Sequence, residues 1–153
     1  MDVYKRLEQL GVELPKPAAS IGLYKHVVQY DKLLFVSGQG NIINGVSIME
    51  GKLGSERTIE EGQKSARACA INCLAALHEY LGDLNKIKRV IRIFGLVNCS
   101  PSFSAHPKVI DGCSRLMCDI WGDDNGIGVR CAVGTNSLPG NISTEIEFVF
   151  ELK

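Results

Sequence analysis

Residues 58–82, TIEEGQKSARACAINCLAALHEYLG, restrict the fold more than any other part of the chain. Thr58 followed by Glu61 makes a capping box, in which a hydroxyl and a carboxylate satisfy free amides of a first helical turn. Ile59, Ala66, Ala70, Cys73, Leu74, Leu77 and Leu81 then recur at steps of three and four, drawing one apolar stripe along a helix. Gly82 stands where a left-handed residue ends such a helix. Small residues on the stripe let this helix sit close to a sheet, so the rest of the chain must supply one.

The strands are legible around it. LYKHVVQYDKLLFVSGQGN reads as two of them, about 23–29 and 32–37, joined at Tyr30-Asp31. The second is an almost unbroken apolar run that suits a central position. INGVSIMEGKLG is rich in glycine and reads as a weak edge hairpin or loop. IKRVIRIFGLVNC (87–99) is a further strand, HPKVIDGCSRLMCDIWG (106–122) a second helix ending at Gly122, and two strands follow at about 129–135 and 143–152. In the last, Ile146, Phe148, Phe150 and Leu152 alternate with Glu145, Glu147, Val149 and Glu151, giving one apolar face. The order implies an α+β fold in a single domain: one mixed sheet with two helices on one face. The other face, which carries Val149, also needs cover, and in 153 residues the natural cover is another copy of the chain.

Composition removes several functional classes. Seventeen basic residues balance seventeen acidic ones, and a pI near 6.8 offers no electrostatic footprint for nucleic acid. No run reaches the length of a membrane span, and MDVYKRLEQL lacks a secretory core, so a cytoplasmic protein is expected. The NCS and NIS sequons at 98 and 141 then carry no meaning. The six cysteines (Cys69, Cys73, Cys99, Cys113, Cys118, Cys131) form no C-x-x-C pair and read as reduced, mostly buried thiols. His26, His78 and His106 do not lie at metal-ligand spacing, so no metal is expected. No cysteine has an evident histidine partner, and there is no G-x-S-x-G elbow. GQGNIING (38–45) fails both nucleotide-loop fingerprints. Arg130 could lower the pKa of Cys131, but neighbours on a strand point to opposite faces.

Arg130 and Glu145 stand out, a guanidinium and a carboxylate at the mouths of two strands. They could be a salt bridge between adjacent strands. Alternatively, the guanidinium could grip a substrate carboxylate through two parallel hydrogen bonds while Glu145 positions water or moves protons.

GLYKHVV, FVSGQ, VRCAVGTNSLPGN and TEIE resemble, in that order, the signature blocks of the RidA (YjgF) reactive-intermediate deaminases, from about Gly22 to Glu151. The resemblance implies a chorismate-mutase-like homotrimeric barrel with clefts between subunits. It also implies hydrolysis of 2-imino and enamine acids, such as 2-iminopropanoate, to 2-oxo acids and ammonium without metal or cofactor. Arg130 falls on the family's carboxylate-binding arginine, Glu145 on its water-positioning glutamate and Tyr24 on the tyrosine of its Gly-Pro-Tyr block. Ser37 and Gly38 fall in a stretch lining the same cleft. There are departures. Leu23 replaces a proline, Ala132 stands where a cysteine is often found, and Asp111 falls on an asparagine. Residues 1–20 form an N-terminal extension. The expected partners are a small imino or oxo acid and two further copies of the chain. The rival readings are a non-catalytic trimeric module binding 2-oxo acids, and a ribonuclease, against which the neutral charge argues.

Overall fold

A computed structural model of the protein describes residues 2–153. Five strands form one sheet in the order β1 (Val27–Tyr30), β2 (Leu33–Gly40), β7 (Thr144–Leu152), β5 (Ile87–Asn98), β6 (Val129–Thr135). All neighbours are antiparallel except β5 and β6, which are parallel. Strands β3 (Ile42–Ile43) and β4 (Val46–Ser47) pair as a separate hairpin. Its turn is Asn44-Gly45, both at positive φ, the combination that suits a two-residue connection. Helices α2 (Ile59–Leu81) and α3 (His106–Trp121) cover one face of the sheet. The α+β class and the two-helix layer agree with the sequence.

Helix α2 begins as its capping box demands, with both reciprocal bonds present, and ends at Gly82 with φ 73°. It crosses α3 at two glycines. A Cβ at Gly112 would lie 2.1 Å from the carbonyl oxygen of Gln63, and one at Gly62 would lie 2.9 Å from Val109 Cγ1. The core between helices and sheet holds Phe148, Phe150, Ile146, Leu34, Val36, Val90 and Ile93, with Leu74, Leu77, Ile110, Leu116 and Met117 from the helices. Several buried polar groups inside it are paired. Asn41 donates to the Met49 carbonyl (2.6 Å) and to Ser65 Oγ (2.8 Å), and Ser65 Oγ lies 2.6 Å from Thr144 Oγ1. Asn72 donates to the carbonyls of Gly40 and Ile42. These bonds lock the end of β2 and the start of β7 to α2.

The sequence reading needs three corrections here. The first strand does not start at 23: residues 21–26 are irregular, and β1 starts at Val27. β2 does not stop at 37 but continues to Gly40 through an irregularity between Val36 and Gln39, where one extra residue enters β2. That is a β-bulge, and it falls on Ser37-Gly38. Finally, the N-terminal extension contains a helix, α1 (Val3–Gln9), capped by the Asp2 side chain. Val3 and Leu7 bury in the core, while Tyr4 Oη lies 2.8 Å from His78 Nδ1 and accepts from the Leu84 amide. Two apolar residues in seven cannot hold a helix in water, so docking supplies its stability.

No helix covers the opposite face of the sheet. One cross-strand row there runs Val28, Phe35, Val149, Arg92, Val129; Val129 is 68% exposed and Phe35 45%.

Candidate functional site

Register separates Arg130 from Glu145. Arg130 continues the row Val27, Val36, Phe148, Ile93 on the helix-covered face. Glu145 continues the row of Leu96 and Val133 on the open face. β5 lies between their strands, so the backbones are about 10 Å apart across the sheet, and a further 10 Å or so along it. A salt bridge between adjacent strands is therefore wrong on both counts: the strands are not adjacent, and the side chains leave opposite faces.

Arg130 is held instead by the α3 layer. Its Nη1 donates to Asp111 Oδ1 at 2.7 Å and to Ser114 Oγ at 3.1 Å. Among the described residues, Nε and Nη2 have no partner. The pair is half-open to solvent, so its net contribution to stability is small; its effect is to fix the guanidinium with one edge turned outward. The edge borders a cleft of about 400 Å³ lined by Asp111, Ser114, Arg115, Asp119, Ile127 and Arg130. Its wall is completed by Gly126 of α4 (Asp123–Gly126), a short helix just before β6. Asp111, reached from sequence only by resemblance, thus touches Arg130 directly.

Glu145 occupies the other half-site. Its carboxylate packs on the β2 bulge, where a Cβ at Gly38 would lie 2.9 Å from Oε2 and 3.0 Å from Cδ. The carboxylate thus occupies the space that a side chain at position 38 would take. No described residue hydrogen-bonds the carboxylate. Burial, with Glu147 adding, raises its pKa from the ordinary glutamate value. A raised pKa makes the carboxylate a better proton acceptor. The Asn41–Ser65–Thr144 bonds anchor the preceding residue from behind, so the backbone that presents Glu145 is rigid. Ser37 Oγ and its amide both donate to the His26 carbonyl, at 3.3 and 3.0 Å. Ser37 lines an open-face hollow of about 300 Å³ with Lys25, Phe35 and Glu147. Tyr24 is exposed in the bend before β1, its ring edge-on to His26 at 5.5 Å. Ser37, Gly38 and Glu145 thus meet at the bulge on the β2–β7 side, and Tyr24 stands next to His26, whose carbonyl holds Ser37. Arg130 and Asp111 form a second group on the β6 side.

The cysteines are free. Cys69, Cys73 and Cys113 are fully buried, and burial pushes the Cys69 thiol up to about 12. One expectation fails: Cys99 does have a histidine partner, with Sγ 3.5 Å from His106 Nε2. Six residues of irregular chain between them hid the pairing. Ala132 and Cys131 lie on opposite faces of β6, and Cys131 looks to the open side beside Phe94.

Comparison with known proteins bears on this architecture. Residues 4–151 match the family described as "YjgF/chorismate_mutase-like, putative endoribonuclease". Protein TCP17 of Trypanosoma cruzi is 39% identical over 152 residues, covering 98% of this chain and 94% of that one. Atu1372 of Agrobacterium tumefaciens, of unknown function, superimposes with a TM-score of 0.90 at 36% identity, covering 99% and 94% of the two chains. A Shewanella oneidensis MR-1 protein described as a putative endoribonuclease gives 0.95 at 32%, covering 99% and 100%. RidA from the Antarctic bacterium Psychrobacter sp. PAMC 21119 shares the fold at a TM-score of 0.62 and 18% identity over 90% of this chain and 94% of its own. The sequence blocks, the topology and the matched span agree: the chain belongs to the YjgF/RidA family, as a divergent member.

Proposed function

We propose that the protein is a hydrolytic deaminase of 2-imino and enamine acids, acting as a homotrimer with its sites between subunits. The observation that carries this reading is the separation of the two half-sites. A guanidinium with a free edge and a half-buried carboxylate with no partner stand on opposite faces of one sheet, where only another copy can bring them together. The exposed row on the open face and the unpaired β6 edge offer apolar and backbone groups for that contact.

In such a cleft the free edge of Arg130 holds the substrate carboxylate in two charge-assisted hydrogen bonds. Glu145 accepts a proton from a water that attacks the imine carbon, the carbon–nitrogen π pair moves to nitrogen, and Glu145 returns that proton to nitrogen to give a carbinolamine. Glu145 then takes the hydroxyl proton as the carbonyl forms and passes it to the departing nitrogen, which leaves as ammonia beside the 2-oxo acid. Tyr24 walls the pocket and Ser37 and Gly38 line it. No metal or cofactor is required, because both protons of one water, carried in turn by Glu145, complete the balance.

A second reading, a non-catalytic binder of 2-oxo acids, draws support from the Arg130–Asp111 pair, which leaves part of the guanidinium already neutralised. Both readings need Arg130, and only the enzyme needs Glu145. The test is to generate 2-iminopropanoate in situ with a dehydratase and follow its decay. Arg130→Lys keeps the charge but loses the planar fork, and should lower kcat/KM by about 10- to 100-fold. Glu145→Gln should lower turnover about 100-fold or more while a 2-oxo acid still binds. Unchanged hydrolysis in Glu145→Gln refutes the mechanism, and a monomer in sedimentation refutes the shared cleft.

A further inference from the structure

The β6 strand ends in a second cleft, of about 550 Å³, at the N-terminal end of α3. Its lining includes Lys52, Cys99, Ser100, Phe103, His106 and Thr135. Four observations set it apart from an incidental surface hollow. Cys99 Sγ contacts His106 Nε2 at 3.5 Å, and the imidazole is held edge-on by the Phe103 ring at 5.3 Å. Gly134 presses both groups together from the strand: a Cβ there would lie 2.6 Å from His106 Nε2 and 2.8 Å from Cys99 Sγ. The Lys52 ammonium is fixed at the rim by Asn98 Oδ1 (2.9 Å) and the Asn136 carbonyl, leaving one N–H unspent. Ser100 Oγ is buried without a hydrogen-bond partner. A thiol, a base in contact with it, a fixed cation and an unsatisfied hydroxyl therefore share one cavity.

We propose that this cleft is a covalent capture site for small α,β-unsaturated carbonyl compounds, with Cys99 as nucleophile and His106 as its base. The parts suit that class. Sulfur is a soft nucleophile that prefers a conjugated carbon. Addition to an alkene needs no leaving group, and the negative charge that develops on the carbonyl oxygen needs a cation. His106 Nε2 takes the Cys99 proton as sulfur forms a bond to the β-carbon. The alkene π pair moves through the α-carbon to the carbonyl oxygen, opposite Lys52, as an enolate. The proton on His106 then passes to the α-carbon. All atoms of thiol and alkene remain in the thioether, and no oxidant or reductant enters. Burial holds the Cys99 thiol above its ordinary pKa against the opposing pull of Lys52, so little free thiolate is present and the reaction depends on the contact with His106.

The probe is N-ethylmaleimide on the native protein at neutral pH, with the adduct on each cysteine timed by peptide mass spectrometry. Cys118, which is partly exposed and lies away from the open face, serves as the internal standard. Cys99 should be modified in the folded protein. His106→Gln should slow its labelling at least about 10-fold, leaving the standard within about twofold. Lys52→Met, which leaves the thiol–imidazole contact intact, should slow Cys99 selectively as well and provides a second route should His106→Gln not fold. Circular dichroism reports the fold of each. Cys99 that reacts only in denaturant, or that reacts at the same rate in folded His106→Gln and Lys52→Met, overturns the proposal.

Discussion

Gly38→Ala isolates the position of one carboxylate from everything else in the fold. The added methyl would stand 2.9 Å from Glu145 Oε2, 3.0 Å from Cδ and 3.2 Å from Cγ. Each is closer than van der Waals contact allows, yet every atom it meets belongs to a single flexible side chain. Glu145 therefore turns away, at the cost of an off-rotamer torsion of about 0.5–1.5 kcal/mol. Gly38 does not occupy positive φ, so alanine is allowed there and stabilises by about 0.4–1 kcal/mol through the unfolded chain. The two nearly cancel. At about 2–4 °C per kcal/mol for a domain of this size, Tm should move by no more than about 4 °C. The carboxylate, by contrast, shifts on the order of an ångström, and such a displacement costs up to about 100-fold in rate. Imine decay measured beside a thermal melt should show activity down about 10- to 100-fold at nearly constant Tm. Activity within twofold of wild type at constant Tm would show that the seating of Glu145 on the bulge has no part in the reaction.

Other expectations follow from the same geometry. Gly112→Ala drives a methyl into the backbone of α2 at Gln63, which cannot rotate away, so it should cost about 3 kcal/mol and lower Tm by about 6–12 °C in calorimetry. Leu7→Ala should destabilise by about 2–5 kcal/mol in denaturant titration, because α1 is part of the core. The raised pKa of Glu145 means that the folded state holds this proton more tightly than the unfolded chain; stability falls as pH rises from the ordinary carboxylate pKa through the raised one, and the cost persists above it. Glu145→Gln should thus melt slightly higher than wild type at neutral pH, with the gap closing below about pH 4. Cys69, Cys73 and Cys113 should resist alkylation in the native protein and react in denaturant.

The sheet and its two helices could be read from the sequence because their signals are local. The capping box at Thr58, the small-residue stripe and the alternation in 146–152 each depend on residues within a turn or two. What escaped depended on distant partners. α1 has too few apolar residues to announce itself and exists because Tyr4 meets His78 and Leu84. The bulge at Ser37-Gly38 is invisible without β7, whose register defines the extra residue. Arg130 and Glu145 were legible as residues of interest, but not as occupants of opposite faces, because strand order is set by a crossover that the sequence does not spell out. The Cys99–His106 contact needed the shape of the loop between them.

The crossover also sets a timetable. Arg130 meets Asp111 within one α3–β6 segment, 19 residues apart, so a short loop closes to form that half-site. Gly38 and Glu145 are separated by more than a hundred residues, and closing that loop carries a larger entropic cost, which defers it to a later stage of folding. The half proposed to grip the substrate carboxylate should be in place while the half proposed to position water is still open. A partially folded chain, or a variant with a weakened β2–β7 pairing, should therefore lose its chemistry before it loses its hold on an acid.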